Sequence, residues 1–165
     1  CDLHESSPEY PVNNAIVFHQ EAAELAIMTQ MMLEIEGIDI RLEESPVNLR
    51  GLTHREIGDN SDAYVVLLEV SNPSQGRLRG KTTDELVTEG IDKYYLQASK
   101  DGKLFAPYDE SGYPLDLRVA RHVATIRVLL DSWNMMFPER TIFLSDVPPY
   151  EGLVDGLGTY LNPVS

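Results

Sequence analysis

The stretch Ala63-Tyr64-Val65-Val66-Leu67-Leu68-Glu69-Val70 decides the fold class of this chain. It is almost continuously apolar and rich in β-branched residues, which is typical of a central strand buried on both faces of a sheet. The turn-forming run Asn72-Pro73-Ser74-Gln75-Gly76 follows it and ends the strand. The sequence therefore predicts a sheet with this strand at its centre.

The segments on either side of this strand alternate between helical and strand patterns. The predicted elements are a helix over residues 13–36, a strand over 38–43, a helical turn over 53–57, a helix between 82 and 101, a strand over 103–108, a helix over 116–137 and a strand over 141–145. This order predicts an α/β or α+β fold in a single domain, with a mixed sheet of about four strands covered by three main helices.

Composition divides the chain into three expected regions. Residues 1–12 are predicted to be a flexible tether, because Glu5-Ser6-Ser7-Pro8-Glu9-Tyr10-Pro11 is short and polar. Residues 13–146 are predicted to form the globular domain, and 147–165 a loop-like tail with several Pro and Gly residues.

Acidic residues outnumber basic ones about two to one in this chain. The 165 residues include 27 Asp and Glu against 13 Lys and Arg, which gives a net charge of −14. Such a surface repels nucleic acid, so we expect no nucleic-acid partner. It also repels anionic lipid headgroups, so attachment to a membrane would have to come from a lipid on the protein.

The first residue, Cys1, is the only cysteine, and Asp2-Leu3-His4 follow it. This start resembles the mature end of a bacterial lipoprotein, in which a cysteine carries the lipid. The resemblance implies a lipid anchor on Cys1 and a place in the bacterial envelope on the periplasmic side, with the inner or outer membrane left open. Two alternatives stay open, an N-terminal nucleophile and an accidental chain start. A single cysteine allows no internal disulfide.

A small basic cluster on the predicted helix 116–137 is the candidate binding site for a partner. Arg118, Arg121 and His122 lie together there and could hold a carboxylate, a phosphate or an acidic partner. The competing interpretation is a solvated helix face paired with nearby acidic residues.

No pattern in the sequence predicts a reaction centre. The four histidines lack a metal-ligand spacing, and the oxygen-rich run Asp59-Asn60-Ser61-Asp62 is interpreted as a turn. We therefore expect no catalytic residue, no metal ion and no cofactor.

These observations predict a lipid-anchored accessory subunit that binds other proteins in an envelope complex. The wide apolar stripe on the first predicted helix could stay open for such a partner. One alternative is a cell-wall-related enzyme or small-ligand binder with Asp146, His122 or His54 near a pocket. Residues 133–152 are similar to the entry region of zinc murein endopeptidases, but the zinc-binding signature of those enzymes is absent. A second alternative is an acidic immunity or inhibitor protein with a basic partner.

Overall fold

A four-stranded mixed sheet organises the computed structural model, which describes residues 1–160. The strands are β1 (Asp2–Ser6), β2 (Ala15–Phe18), β3 (Arg41–Glu44) and β4 (Val66–Ser71), in the spatial order β1-β4-β2-β3. β4 runs parallel to β1 and antiparallel to β2, and β2 runs parallel to β3. The Phe18 end of the sheet is where β2 ends and β4 begins, and the Ser6 end is opposite.

Six helices accompany the sheet among the described residues, three more than the main helices predicted. They are α1 (Ala23–Ile35), α2 (Thr53–Asn60), α3 (Asp84–Glu89), α4 (Lys93–Lys100), α5 (Leu115–Met136) and α6 (Tyr150–Tyr160). The mixed sheet and its helices form an α+β fold consistent with a single domain, which confirms the predicted fold class.

The strand predicted at the centre of the sheet has that position. β4 has a neighbour on each side, and its residues alternate between two buried faces. Leu68 and Val70 join the main core together with residues of α1, α5 and α6. Leu67, only 3 % exposed, points to the opposite face, because successive side chains of a strand alternate.

The N-terminal residues form a strand, so the predicted flexible tether over 1–12 is wrong. β1 pairs with β4 along its length, from Asp2 opposite Leu67 to Ser6 opposite Ser71. The backbone continues into contact with the domain, since the carbonyl of Pro8 accepts hydrogen bonds from two later residues. An edge strand is held by backbone hydrogen bonds and needs no apolar signature, which is why its polar sequence resembled a tether.

The C-terminal region is also more ordered than predicted. α6 occupies residues 150–160, and its Leu153 and Leu157 lie in the main core at 2 % and 5 % exposure. The loop-like tail predicted over 147–165 is therefore wrong for the helical part, and residues 161–165 lie outside the described residues. The glycines between and beside Leu153 and Leu157 made this segment look like a loop in the sequence, although the two leucines are spaced as on one face of a helix.

Two of the predicted strands are not strands, and two unpredicted strands replace them. Residues 103–108 instead contribute Ala106 and Tyr108 to a second small core, and residues 141–145 are exposed. The four strands of the sheet include β1 and β2, which sequence analysis assigned to the tether and to the first helix. β2 is a strand because the apolar Ile16-Val17 pair favours it and β4 supplies its hydrogen bonds.

Three further elements match their predictions with shifted bounds, and one predicted helix is two helices. α5 confirms the helix predicted over 116–137, β3 ends one residue after the strand predicted over 38–43, and α2 extends the turn predicted over 53–57. The helix predicted between 82 and 101 is divided into α3 and α4 at Gly90. Gly90 has φ +64 and lies against the backbone of Tyr113, where a Cβ would be 2.2 Å from the carbonyl oxygen.

Candidate functional site

Arg118, one of the three residues predicted to bind a partner, is buried. It is only 3 % exposed, and its guanidinium donates to Glu5 Oε1 at 2.7 Å and to the carbonyl oxygens of Tyr113 at 3.1 Å and Val87 at 2.6 Å. These bonds join α5 to β1 and α3 at the Ser6 end. The predicted partner-binding role is therefore wrong for Arg118, because its donors are used inside the fold.

Arg121 and His122 are partly buried beside it. Among the described residues, Arg121 Nε and His122 Nδ1 are buried without a hydrogen-bond partner. Burial lowers the pKa of His122, and the nearby Glu5 carboxylate opposes that effect. Partner binding by these two residues stays a prediction, and the exposed cationic patch of three that the sequence suggested is not formed.

Cys1 is exposed at the Phe18 end of the sheet. Because β1 begins at Asp2, the thiol lies directly beside the first residue of the sheet. None of the described helices is both long and apolar enough to cross a bilayer.

A polar cleft lies at the same end of the sheet, between the residue that follows β2 and the loop that precedes β4. Its volume is about 610 Å³. The lining includes His19, Glu21, Asp59, Asp62, Tyr64 and Arg140. Carboxyl ends of strands and the loops beside them are common positions for ligand sites in open sheets.

His19 and Asp59 form the closed side of this cleft. The His19 Nδ1 atom accepts a hydrogen bond from the Glu21 amide at 3.4 Å, so Nε2 donates to Asp59 Oδ1 at 3.2 Å. α2 approaches the imidazole through Gly58, where a Cβ would lie 2.5 Å from His19 Cγ. This close approach requires a residue without a side chain.

Two arginines hold the Asp59 carboxylate in its ionised form. Arg55 donates to both of its oxygens and Arg50 donates to Oδ2. The hydrogen bonds from Arg55, together with those from His19 and Arg50, lower the pKa of Asp59 to about 2. Asp59 is thus fully engaged by protein groups, and it positions His19 without offering a free charge to the cleft.

Three other charged side chains line the cleft, those of Glu21, Asp62 and Arg140. Among the described residues, no oppositely charged side chain lies within 4.0 Å of Glu21, Asp62 or Arg140. The backbone of Arg140 is held in place, because its carbonyl accepts from Trp133 Nε1 at 2.9 Å. Two unpaired carboxylates and one unpaired guanidinium therefore line one cavity.

Tyr64 gives the cleft an aromatic wall. Its ring meets Trp133 edge-on at a centroid distance of 5.6 Å and Phe137 at 5.3 Å. This contact fixes the tyrosine ring, whose residue stays 39 % exposed.

A second surface lies on α1. The wide apolar stripe predicted for the first helix is present: Leu25 and Leu33 face the core, whereas Ile27, Met31 and Ile35 are 46 %, 58 % and 85 % exposed. The three exposed residues are spaced four apart and form one line along the helix. We call them the α1 stripe.

A shallow groove of about 220 Å³ begins at the end of the α1 stripe. Ile35, Pro149 and Tyr150 form its apolar surface, and Glu36 and Glu151 border it. Glu36 is paired with Arg127, which donates to both of its carboxylate oxygens. The stripe therefore ends in an apolar depression whose acidic edge is Glu151.

The residues proposed for an enzymatic alternative do not line the cleft. His54 bonds to Ser45 at 2.9 Å, but both residues are only 1 % exposed, so substrate has no access to this pair. Burial lowers the pKa of His54. Asp146 and His122 are also absent from the cleft lining, and no three His, Cys, Asp or Glu side chains within residues 1–160 are placed to hold a metal.

Neither a protein-family model, nor a curated protein, nor a solved structure matched this chain.

Proposed function

We propose that this protein is a lipid-anchored accessory domain of a bacterial envelope that binds a protein partner through the α1 stripe. The observation that carries the proposal is the exposure of Ile27, Met31 and Ile35 on successive turns of one helix. Single exposed apolar residues are ordinary, but a continuous line of them costs solvation free energy that a partner would recover.

The chemistry around the stripe favours a basic amphipathic helix as the partner. α1 contains Glu24 and Glu34 and no Lys or Arg. Its C-terminus carries the negative end of the helix dipole, and Glu151 borders the groove beyond Ile35. An apolar side chain flanked by lysines or arginines would complement this surface, and the net charge of −14 would speed its approach.

The direction of α1 agrees with an anchor at Cys1. β2 and β3 are parallel, so α1, which connects them, runs back from the Phe18 end towards the Ser6 end. Its 13 residues span about 20 Å. A lipid on Cys1 at the Phe18 end would leave Ile35, the most exposed residue of the stripe, farthest from the membrane and free to meet a partner.

Titration of a fluorescent 20-residue peptide made of Leu and Lys in amphipathic helical order tests the docking surface. We expect binding that weakens as salt is raised, and a loss of at least tenfold in affinity when Ile27, Met31 and Ile35 are all replaced by Ser. Ile57→Ser is the matched control, since Ile57 on α2 is 45 % exposed and should leave binding unchanged. Equal affinity of the triple variant and the wild type would overturn the proposal, as would no binding at 100 µM peptide.

The mass of the intact protein purified from its native membranes tests the anchor separately. We expect two or three acyl chains mapped to Cys1, and release of Cys1→Ser into the soluble fraction. An unmodified chain would remove the anchor and leave the docking surface to be judged by the peptide titration.

A further inference from the structure

We propose that the cleft at the Phe18 end binds a small zwitterion, such as an α-amino acid or a short peptide. This site is distinct from the α1 stripe, and the inference does not depend on the proposed protein partner. It starts from a cavity of about 610 Å³, which lies within the range of about 300–1,000 Å³ typical of small-molecule sites.

The unpaired charges of the cleft define the chemical class of the ligand. Arg140 supplies a planar guanidinium suited to a carboxylate, and Glu21 and Asp62 supply carboxylates suited to an ammonium group. These opposite charges are more than 4.0 Å apart, so they do not neutralise each other. A ligand with both groups would pair all of them, whereas a ligand with one group would leave the opposite charge of the cleft unpaired.

The remaining walls are held in place by the protein. His19 and Asp59 are bonded to each other, and their other hydrogen bonds go to the Glu21 amide and to two arginines. Tyr64 offers its ring to an apolar side chain or to the ammonium group. The cleft thus combines an aromatic wall and a bonded His19–Asp59 pair with three exposed charged side chains.

The backbone that carries the site is held by the elements behind it. The carbonyl of Arg140 accepts a hydrogen bond from Trp133, and Asp59 is held at the end of α2 by Arg55 from the preceding turn. A ligand would therefore order the charged side chains but not the backbone beneath them, which limits the conformational entropy lost on binding.

Isothermal titration at pH 7 and low salt tests the proposal with the twenty amino acids and the dipeptides Ala-Ala and Lys-Ala as probes. We expect at least one probe to bind with a Kd below 1 mM. Arg140→Gln and Asp62→Asn should each weaken that probe at least tenfold. Arg77→Gln, an exposed arginine outside the cleft, is the matched control and should bind as the wild type does.

Analogues of the best probe distinguish a zwitterion site from a simple charge site. Its amine without the carboxylate, and its carboxylate without the amine, should each bind at least tenfold more weakly. Equal binding of the amine alone, or an unchanged Kd in Arg140→Gln, would overturn the proposal. The absence of heat and of amide chemical-shift changes at 10 mM for every probe would do so too. Unchanged melting temperatures of the variants show that they are folded.

Discussion

The two ends of the sheet hold charged clusters that differ in what their charges contact. At the Ser6 end, Arg118 is buried and its guanidinium is bound by Glu5 and two carbonyl oxygens. At the Phe18 end, Arg140 and Asp62 are exposed and form no ion pair within residues 1–160, beside the fully hydrogen-bonded His19–Asp59 pair. An arginine in an acidic protein can therefore stabilise the fold or remain available to bind a ligand. Burial and complete hydrogen bonding identify the stabilising arginine.

Removal of Arg118 is expected to have the largest effect on stability. Arg118→Ala leaves Glu5 and the carbonyls of Tyr113 and Val87 without their donor, and breaking a buried ion pair costs about 3 kcal/mol. Urea unfolding should show this loss, whereas Arg140→Ala at the other end should change the free energy of unfolding by less than about 0.5 kcal/mol. Similar losses in both variants would erase the contrast between the two ends.

Gly58→Ala tests the closed wall at the Phe18 end. The new methyl group would lie 2.5 Å from the His19 ring, and such overpacking costs about 1–3 kcal/mol. Gly158→Ala on α6 is the control, because nothing lies within 4 Å of its Cβ position. Thermal melts should rank the wild type and Gly158→Ala well above Gly58→Ala. A neutral Gly58→Ala would mean that α2 can shift away from His19.

The pH dependence of stability tests two histidines that the fold shields from solvent, His54 and His122. Burial lowers the pKa values of His54 and His122 below the usual 6.5, so the unfolded chain takes up protons that the folded chain does not. The free energy of unfolding should therefore be constant above pH 6.5 and fall as the pH drops below it. Asp59, with its pKa of about 2, should contribute acid sensitivity only between about pH 4 and 2.

Urea midpoints at pH 7 and pH 5 measure this effect in His54→Gln and His122→Gln. Each variant should lose less stability on acidification than the wild type does. An unchanged acid response in both would show that these histidines stay neutral or become solvated at no cost.

Arg121→Gln is expected to have a much smaller effect on stability than Arg118→Ala. Arg121 lies three residues from Arg118, but its Nε has no hydrogen-bond partner among the described residues. Loss of an unsatisfied group should change the free energy of unfolding by less than about 1 kcal/mol. A loss as large as that of Arg118→Ala in the same urea series would place Arg121 in the structural cluster.

Elements defined by contacts within one segment were predictable from the sequence, and elements defined by pairing with distant residues were not. β4 and α5 were predicted because burial imposes an apolar pattern within each segment. β1 was missed because its polar residues are held by backbone bonds to β4, more than 60 residues away. The predicted number of four strands is correct, but two of the four positions are wrong. Residues 103–108 and 141–145 are not strands, and the sheet contains β1 and β2 instead.

The candidate sites show the same limit. The α1 stripe was visible in the sequence as an apolar helix face wider than one neighbour can cover. The cleft was visible only as an oxygen-rich turn at 59–62, because His19 lies 40 residues away from Asp59 and Arg140 lies on another element. No spacing within one segment of the sequence predicts that His19, Asp59 and Arg140 line the same cavity.

By itself, the sequence determined the class of the fold, the central strand, the longest helix and the acidic surface. Each of these follows from composition or from a pattern within one segment, where burial and periodicity act locally. Only the tertiary structure decided that residues 2–6 close the edge of the sheet, that Arg118 is internal and that Arg140, Glu21 and Asp62 line one cleft. Strand pairing and ion pairing join residues distant in the chain, so their outcome depends on which backbones and charges the fold brings together.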